Sequence, residues 1–473
     1  MHADLLEQIA RMQVEFAATI KRMEEAHSAQ IAALRVEIEE LQARIGRRSR
    51  NSSRPPSSDP PWEKRSPRKK SSGRKPGGQP GHKGKTRPLI PTDDVDRVVV
   101  HDVTECPGCG GTDLEQLDVF RHQVTEIPPV RALVTEHQVR TVRCRGCGEY
   151  AAGELPADVA RSQFGPRVHA LVAHLSGGFR LTHREIKLIL GEVFDVELGL
   201  GSVTAIQRRV TEALEAPFRA VQRAVRQGPA AYIDETSWRE FRCPVWMWTA
   251  HFGSLVVYHI DRRRNRRAFG RLMAGSFHGV RIVDRLAVHD KVKDALRQIC
   301  NAHLLRDFEG FVTGPRGRRG FGRRGKAIVQ QLLKLWRRFS EQRIDRDRLR
   351  QECDTLQSRM VALLDDAKTH AVARVRRFAA HLRKQVACMF TFARVSGIEP
   401  TSNAAERMLR CAVLWRKGSF GSHSKDGSRF VSRFLTISRS LRLQGRDVME
   451  FLVNALDAHA NARSPPEIVP ATN

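Results

Sequence analysis

Residues 230–238 read AAYIDETSW, and this apolar run ends on a pair of acids. Small and branched apolar residues followed by polar ones are typical of a buried strand that opens into a site. Residues 279–284, GVRIVD, form a second short apolar run that also ends on an aspartate. Because a carboxylate loses hydration when it is buried, acids in such positions need a cation or a hydrogen-bonding partner. The pattern therefore predicts two buried strands that end in site carboxylates, Asp234 and Asp284.

A third acid lies near the C-terminus, in residues 398–410, IEPTSNAAERMLR. Ser402 or Asn403 is a suitable N-cap, which places Glu406 in the first turn of the predicted helix. An acid in that turn is often only a partner of the helix dipole. Together with the two strand-end aspartates, however, Glu406 completes an oxygen-only ligand set of the kind that Mg²⁺ prefers. Since two metal ions can clamp the attacking and leaving oxygens, the pattern predicts metal-dependent phosphoryl transfer.

The order of several motifs along the chain resembles the DDE transposases of the insertion sequence 66 family. The matching stretches are DET at 234–236, CNAH at 300–303, NAAER at 403–407, the tract 416–427, NSS at 51–53 and GGQPGH at 77–82, besides two paired-cysteine motifs. No single motif is decisive, but their order is specific, and together they cover most of residues 1–460.

This resemblance implies an α/β fold with a ribonuclease H-like catalytic core, in which Asp234, Asp284 and Glu406 bind Mg²⁺ or Mn²⁺. It implies an enzyme that cleaves DNA at the ends of an insertion sequence and joins the freed 3′-hydroxyl to target DNA. Expected partners are the element ends, the target DNA and helper proteins of the same element. The resemblance also implies a bacterial, cytoplasmic and nucleoid-associated protein. A nuclease with the same core and a non-catalytic, zinc-bearing DNA-binding protein are the alternatives.

Two further acids compete for places in the triad. In the family a glycine and an aromatic residue are expected soon after the second aspartate, whereas here RLAVHD follows Asp284 and offers Asp290 as a rival. We prefer Asp284, because it directly ends the apolar strand. Glu235 is a weaker rival of Asp234, since successive strand residues face opposite sides and only one of the pair can point into the site.

The expected catalytic core spans residues 229–425. Alternation predicts strands at about 230–235, 245–252 and 254–260, a helix at about 266–274 and then the Asp284 strand. A helical insertion is expected at about 290–395, because its apolar spacing favours helices. The Gly/Arg-rich tract 316–325 is interpreted either as a flexible loop that follows phosphates or as a solvated surface loop.

Two C-x-x-C motifs, Cys106 with Cys109 and Cys144 with Cys147, predict a zinc-ribbon-like module over residues 101–155. Four thiolates at this spacing are typical of a closed structural Zn²⁺ site, and disulfides or unligated thiols are the alternatives. Strands are expected between the pairs, at 132–135 and 138–142. Cys300 and His303 share a helix face, but two ligands do not make a zinc site, so a supporting role is preferred. The other four cysteines, Cys243, Cys353, Cys388 and Cys411, are interpreted as buried thiols.

The remaining segments divide by composition and periodicity. Apolar residues at three- and four-residue spacing predict a coiled coil over 1–46, with folding back on the body as the alternative. Residues 47–100 are basic, rich in Pro, Ser and Gly, and predicted to be disordered alone. Residues 156–228 are predicted to be helical, either a helix-turn-helix-like unit or a linker bundle, with Ser202 capping a helix whose Gln207, Arg208 and Arg209 face outward. A C-terminal helical region and tail, 426–473, completes the chain.

The charge of the 473-residue chain indicates its partner. There are 81 Lys and Arg against 52 Asp and Glu, which gives a formal net charge of +29. The sequence contains no apolar run of 18 residues, the length that a membrane span needs, so nucleic acid is the expected counter-charge. Near the predicted site, Arg407, Arg410, Arg416 and Lys417 are expected to neutralise DNA phosphates. The coiled coil predicts a homo-oligomer that brings two catalytic chains to two DNA ends.

Overall fold

A computed structural model describes residues 2–49, 51–52, 59, 77–79, 81–84, 87–160, 162–290 and 292–470. The described chain is mixed α/β, with a helical N-terminal region and a central sheet. It forms two compact units, one of residues 1–59, 134–192 and 196–473 and a smaller one of residues 60–133 and 193–195. Among the described helices, none combines the length and the apolar character that a bilayer crossing requires.

The larger unit begins with helix α1, His2–Ile45. Its regularly spaced apolar side chains are exposed, with fractions from 42% at Ile9 to 74% at Ile45. The stripe comprises Ile9, Met12, Phe16, Ile20, Met23, Ile31, Leu34, Ile38, Leu41 and Ile45. An uncovered stripe is what a coiled-coil seam needs before its partner is added, so the coiled coil stays a prediction and folding back is not observed.

The smaller unit has one regular element among its described residues, a 3₁₀ turn at Thr92–Asp94. The side chain of Gln123 ties the chain at Ile90, because it accepts from the Ile90 N–H and donates to the Ile90 carbonyl, each at 2.8 Å. The predicted strand at 132–135 is wrong. Leu133 and Val134 are 100% and 92% exposed, and a strand without a partner leaves its backbone groups unpaired.

A two-stranded antiparallel ribbon follows in the larger unit. Strand β1, Thr141–Arg143, pairs with β2, Tyr150–Ala152, across the second cysteine motif. The expected strand at 138–142 is therefore present only at its end.

Five helices lead to the sheet. They are α2 (Ala157–Ala160), α3 (Pro166–Gly177), α4 (His183–Phe194), α5 (Leu200–Ala213) and α6 (Glu215–Gln227). Helix α5 begins before Ser202, with Gly199 as its N-cap, so the predicted cap is wrong. Two of its polar residues turn toward α3 instead of outward. Gln207 Nε2 donates to Ser176 Oγ at 2.6 Å, and Arg209 Nη1 lies 3.3 Å from His169 Nε2. Arg208 is exposed, as predicted.

The central sheet has five strands in the order β5-β4-β3-β6-β7. The strands are β3 (Ala230–Glu240), β4 (Cys243–Phe252), β5 (Leu255–Asp261), β6 (Val280–Val283) and β7 (Arg297–Ile299), and helix α7 (Arg266–Met273) lies between β5 and β6. Strands β3, β4 and β5 pair in antiparallel fashion. Strand β6 runs parallel to β3, and β7 runs parallel to β6. The predicted order of three strands, a helix and a fourth strand is confirmed, and β7 was not predicted.

The segment after β6 is mainly helical, as expected. Two 3₁₀ turns, Ala287–His289 and Asp294–Leu296, lie between β6 and β7. The elements that follow are α8 (Asn301–Val312), 3₁₀ turns at Arg316–Arg318, Ala367–Thr369 and Val386–Met389, α9 (Arg319–Ser340), α10 (Arg346–Asp366), α11 (Ala373–Arg383) and α12 (Thr391–Arg394). Their apolar faces share one core with β3, β6 and β7, so the insertion packs directly onto the sheet.

The Gly/Arg-rich tract is not a flexible loop. Helix α9 begins at Arg319, and two of its glycines lie where it packs against α8. A Cβ atom on Gly322 would stand 2.7 Å from the backbone nitrogen of Val312, and one on Gly325 would overlap the ring of Phe308. These glycines allow two helices to approach closely, which periodicity alone does not reveal.

Three helices close the fold: α13 (Asn403–Ser419), α14 (Lys425–Leu443) and α15 (Val448–Ala460). Helix α14 covers the edge strand β5. Its hydroxyls accept from backbone groups there, Ser440 Oγ from the Val256 N–H at 3.0 Å and Thr436 Oγ1 from the Tyr258 N–H at 2.9 Å. Because these donors would otherwise face outward at a sheet edge, the two hydroxyls protect that edge.

Candidate active site

The first two predicted carboxylates lie on neighbouring parallel strands. Strands β3 and β6 pair with Tyr232 opposite Ile282. The same register, continued by two residues, aligns Asp234 with Asp284 just beyond the end of β6. Because β6 stops at Val283, it does not pair with β3 at Asp234. Asp284 is held in place by the Leu286 N–H, which donates to its Oδ1 at 2.8 Å.

The third predicted carboxylate, Glu406, lies in the first turn of α13. Ser402 is the N-cap by position, but its side chain makes no capping hydrogen bond among the described residues. The turn before the helix is held by groups from the sheet and α8 instead. The Glu399 N–H donates to the Tyr232 hydroxyl at 3.0 Å, and the Ser402 N–H donates to Cys300 Sγ at 3.2 Å.

Asn301 adds a second fastening to that turn. Its buried amide donates to the carbonyls of Met389 at 2.9 Å and Pro400 at 3.3 Å. Its backbone N–H also donates to Pro400, at 2.9 Å. Cys300 and Asn301 together thus fix the start of α13 against α8, which is the supporting role predicted for the cysteine.

The carboxylates repel one another in a desolvated setting. Burial raises the pKa of Asp234 well above its ordinary value, and the negative charges of Glu235, Asp284 and Glu406 raise it further. Burial and the charge of Asp284 raise the pKa of Glu235 to about 7, although Arg264 opposes this shift. Such a cluster favours the binding of a proton or a cation.

A fifth acid, Asp307, belongs to the same electrostatic neighbourhood and was not predicted. Burial raises its pKa, Arg285 opposes that shift through an ion pair at 2.7 Å, and Asp284 adds to it. On α8 it lies four residues after His303 and therefore on the same helix face. This four-residue spacing was the available sequence signal for Asp307. It does not distinguish a helix face that lines a site from a helix face that is simply exposed to solvent.

Basic side chains on α8 and on the loop after β5 contact the acids directly. Arg306 Nη2 lies 3.3 Å and His303 Nε2 3.8 Å from Glu406 Oε1. Arg264 forms an ion pair with Glu235. Burial, followed by the charge of Arg306, lowers the pKa of His303 to about 4, so its imidazole is neutral at pH 7. No pattern in the sequence pointed to Arg264 or Arg285.

The rival acid Asp290 has other partners. Its Oδ1 accepts from Arg297 Nη1 at 3.1 Å and from Gln385 Nε2 at 2.8 Å, and His381 Nε2 lies 3.7 Å from its Oδ2. It is not among the charges that raise the pKa of Asp234, whereas Asp284 is. The structure therefore brings Asp284 to the cluster and engages Asp290 with the insertion.

The four predicted phosphate contacts all lie on α13, with different surroundings. Arg407, Arg410 and Lys417 are exposed. Arg416 is half-buried and donates to Thr236 Oγ1 at 3.1 Å and to the backbone carbonyl and hydroxyl of Ser237. Arg416 thus fastens α13 to β3 beyond Asp234, a structural role that was not predicted.

The acidic cluster suits a hard divalent cation. Its donors are carboxylate oxygens, and the desolvated Asp234 lies in a field of like charge that a cation would relieve. No three His, Cys, Asp or Glu side chains in the described part of the chain surround a single ion position. Since Mg²⁺ takes only one or two protein carboxylates and completes its shell with water and substrate oxygens, pairs of these acids are sufficient.

The two cysteine motifs form the same kind of turn, each described within its own unit. The Gly110 N–H donates to the Cys106 carbonyl at 2.8 Å, and the Gly148 N–H donates to the Cys144 carbonyl at 2.9 Å. Both glycines have positive φ, 75° and 82°. Hydrogen bonds from backbone N–H groups lower the pKa of both the Cys106 and the Cys144 thiol. The largest contribution comes from Gly108 at Cys106 and from Cys147 at Cys144. Each turn therefore favours a thiolate, the form that binds zinc.

The other cysteines are free thiols. Cys300, Cys353, Cys388 and Cys411 are buried. Cys243, at the start of β4, is exposed, so its prediction as a buried thiol is wrong. It begins β4 directly after the tight turn of the β3–β4 hairpin, where it pairs with Glu240.

Three family models match parts of the chain. The model described as transposase IS66 family matches residues 161–429, more than half of the chain, and this range contains all three predicted carboxylates. The zinc-finger binding domain of transposase IS66 matches residues 104–148 and contains all four cysteines of the paired motifs. Residues 5–88 match a family of unknown function. No curated protein matches the chain. The resemblance noted in the sequence is thus confirmed, and the chain belongs to the transposase IS66 family.

Proposed function

We propose that this chain is a DDE transposase that cleaves DNA at the ends of its insertion sequence and transfers the freed strand to target DNA, with Mg²⁺ or Mn²⁺ as cofactor. The observation that carries the proposal is the environment of Asp234. Its carboxyl is desolvated and lies in the field of Asp284 and Glu406, which come from a neighbouring strand and a distant helix. Such an arrangement costs stability in the free protein, and a bound cation offsets that cost.

The sheet supports a ribonuclease H-like core. Three antiparallel strands are followed by a helix and by strands parallel to the first, in the order β5-β4-β3-β6-β7. This order places the first strand at the centre, where its carboxylate can meet acids from both a parallel neighbour and a covering helix. The insertion at about 290–395 supplies α8, whose residues contact Glu406.

In the proposed mechanism Asp234, Asp284 and Glu406 would hold the divalent ions between them. Bound there, the ions would activate the attacking oxygen and stabilise the leaving oxygen. Tyr232, Cys300 and Asn301 position Glu406 by fixing the turn before α13. Arg264 forms an ion pair with Glu235, which leaves Asp234 as the acid of β3 that is proposed to meet the ions.

The exposed cations of α13 are proposed to orient the DNA. Arg407 and Arg410 follow Glu406 on the same helix, and Lys417 lies in its last turn. Each can neutralise one backbone phosphate next to the scissile bond without reading sequence. Arg416 is proposed to act on DNA only indirectly, because its guanidinium is bonded to β3.

The zinc-finger match supports a structural Zn²⁺ site made of Cys106, Cys109, Cys144 and Cys147. A closed four-thiolate site stabilises a small module and performs no chemistry. Self-association through α1 is also proposed, because it would cover the exposed apolar stripe and place two catalytic chains on two DNA ends. We place the protein in the bacterial cytoplasm, bound to the nucleoid.

The test is strand cleavage with separate measurement of DNA binding. Glu406→Gln should abolish Mg²⁺-dependent cleavage of DNA that carries the element's ends and leave binding of that DNA nearly intact. A parallel loss of binding and cleavage would contradict the catalytic assignment of Glu406.

A further inference from the structure

A second site candidate lies away from the acidic cluster, within the larger unit. A cavity of about 400 Å³ opens between the end of α1 and the junction of α8 with α9. Its lining is polar, with Arg47 from the N-terminal side and Arg319 and Arg374 from the insertion. Pockets for small organic ligands are mostly apolar and aromatic, whereas Pro315 is the single apolar side chain that the described part of the chain contributes to this lining.

Asn51 lines the cavity and docks onto the end of α8. Asn51 Nδ2 donates to the Gly46 carbonyl at 3.1 Å and to Thr313 Oγ1 at 3.2 Å, and its Oδ1 accepts from the Arg48 N–H at 2.7 Å. Gly310 allows this contact, since a Cβ there would meet the carbonyl oxygen of Asn51. The motif that begins at Asn51 therefore joins the N-terminal region to the helix that carries His303 and Arg306.

The charges around the cavity are unbalanced. Among the described residues of the lining, Glu39 is the single acid, against three arginines. Nearby, Arg318 is paired with Glu40 at 2.9 Å. Arg374 is half-buried with its guanidinium 5.4 Å from the ring centre of Phe311. Burial, and then the charges of Arg47 and Arg318, lower its pKa, although the charges of Glu40 and Asp307 oppose this shift. An anion placed between these guanidinium groups would relieve their mutual repulsion.

We propose that this cavity binds a phosphodiester of the DNA backbone, held between Arg47 and Arg374. The site is composite, because one guanidinium comes from the region that matches a family of unknown function and the other from the catalytic insertion. The inference rests on the proposed function in that DNA is the partner. It adds an anchoring point on the opposite end of α8 from the residues that contact Glu406, and it gives the N-terminal region a role in DNA binding.

The experiment measures binding of end-bearing duplex DNA by fluorescence anisotropy across a series of salt concentrations, without Mg²⁺ and in the full chain carrying Glu406→Gln. Arg47→Gln and Arg374→Gln should each weaken binding several-fold and reduce the slope of log affinity against log salt by about 1. The double variant should lose little more slope than either single variant, because both arginines hold one phosphate. Arg374→Lys, which keeps the charge, should retain most of the slope.

Arg337→Gln is the matched control, since Arg337 is exposed in the last turn of α9 and outside the cavity. Thermal midpoints establish that each variant folds, and Arg47, which is exposed, tests the idea even if Arg374→Gln unfolds the chain. A slope for Arg47→Gln equal to that of Arg337→Gln would overturn the proposal. This binding experiment is independent of the cleavage assay. If the natural chain cleaves DNA but Arg47→Gln leaves the salt slope unchanged, this site alone is refuted. If the natural chain does not cleave DNA but the slope changes as expected, the proposed phosphate site stands.

Discussion

The hydroxyl of Tyr232 accepts a hydrogen bond from the backbone N–H of Glu399, at 3.0 Å. Tyr232 lies two residues before Asp234 on β3, and Glu399 lies seven residues before Glu406. One hydrogen bond thus connects the strand of the first proposed ligand to the turn that orients the third, across 167 residues of sequence.

Tyr232→Phe removes the hydroxyl that accepts this hydrogen bond, so the Glu399 N–H loses its partner. The loss should cost about 1 kcal/mol of stability. Cleavage should fall further, by about tenfold, because small displacements of a catalytic group have large effects on rate. Tyr150→Phe, at an exposed tyrosine of β2, is the control and should change neither the thermal midpoint nor the rate. Equal behaviour of the two variants would refute the positioning role.

Gly325→Ala should destabilise the chain by about 1–3 kcal/mol, since the added Cβ would overlap the Phe308 ring in a packed core. Gly320→Ala, in the first turn of the same helix, has open space around its Cβ and should be neutral or stabilising by up to about 1 kcal/mol. Thermal unfolding of both variants checks the prediction. A flexible loop at 316–325 would instead tolerate both substitutions equally.

Stability should depend on pH through His289, which is 1% exposed. Burial, followed by the charges of Arg281, Arg297 and Arg266, lowers its pKa to about 3. The unfolded chain binds this proton near pH 6.5 and the folded chain does not, so the contribution of His289 is complete above pH 6.5 and declines as pH falls toward 3. At pH 5 the loss should be about 2 kcal/mol.

The variant His289→Gln isolates this effect from the titration of carboxylates. It cannot take up a proton, so its thermal midpoint should fall less between pH 7.5 and pH 5 than that of the natural chain. An identical fall in both proteins would contradict the prediction.

Cys106→Ser should remove zinc from the chain. The natural protein is expected to carry about one Zn²⁺ per chain, as a four-thiolate site requires. Loss of one ligand should reduce the metal content and destabilise the small module. Cys243→Ser, at an exposed thiol outside the motifs, should retain the metal. Equal zinc content in the two variants, measured by atomic emission, would refute the four-thiolate assignment.

Much of the sheet could be predicted because strand periodicity is a local signal. The apolar runs before Asp234 and Asp284 identified β3 and β6, and their equal distance from the paired residues Tyr232 and Ile282 brings the two acids side by side. Strand β7 was missed because three residues carry no periodic pattern.

Contacts between distant segments could not be predicted in the same way. A supporting role was expected for Cys300, but the contacts of Asn301 and Cys300 depend on where the turn before α13 lies, and nothing near either residue encodes that position. The glycines of α9 have the composition of a loop, and only the position of Phe308 explains them. Similarly, Arg416 has the sequence context of a phosphate contact, yet its guanidinium bonds to Ser237.

The most direct test of the account is Mg²⁺-dependent cleavage and joining on DNA with the element's own ends, comparing the natural chain with Asp284→Asn and Asp290→Asn. Substituting residues that only support a metal ligand costs about 10- to 100-fold, so loss of a ligand itself should cost at least as much. We predict that Asp284→Asn loses more than about 100-fold and that Asp290→Asn keeps most activity. Full activity of Asp284→Asn, with activity lost in Asp290→Asn, would contradict the proposed metal site.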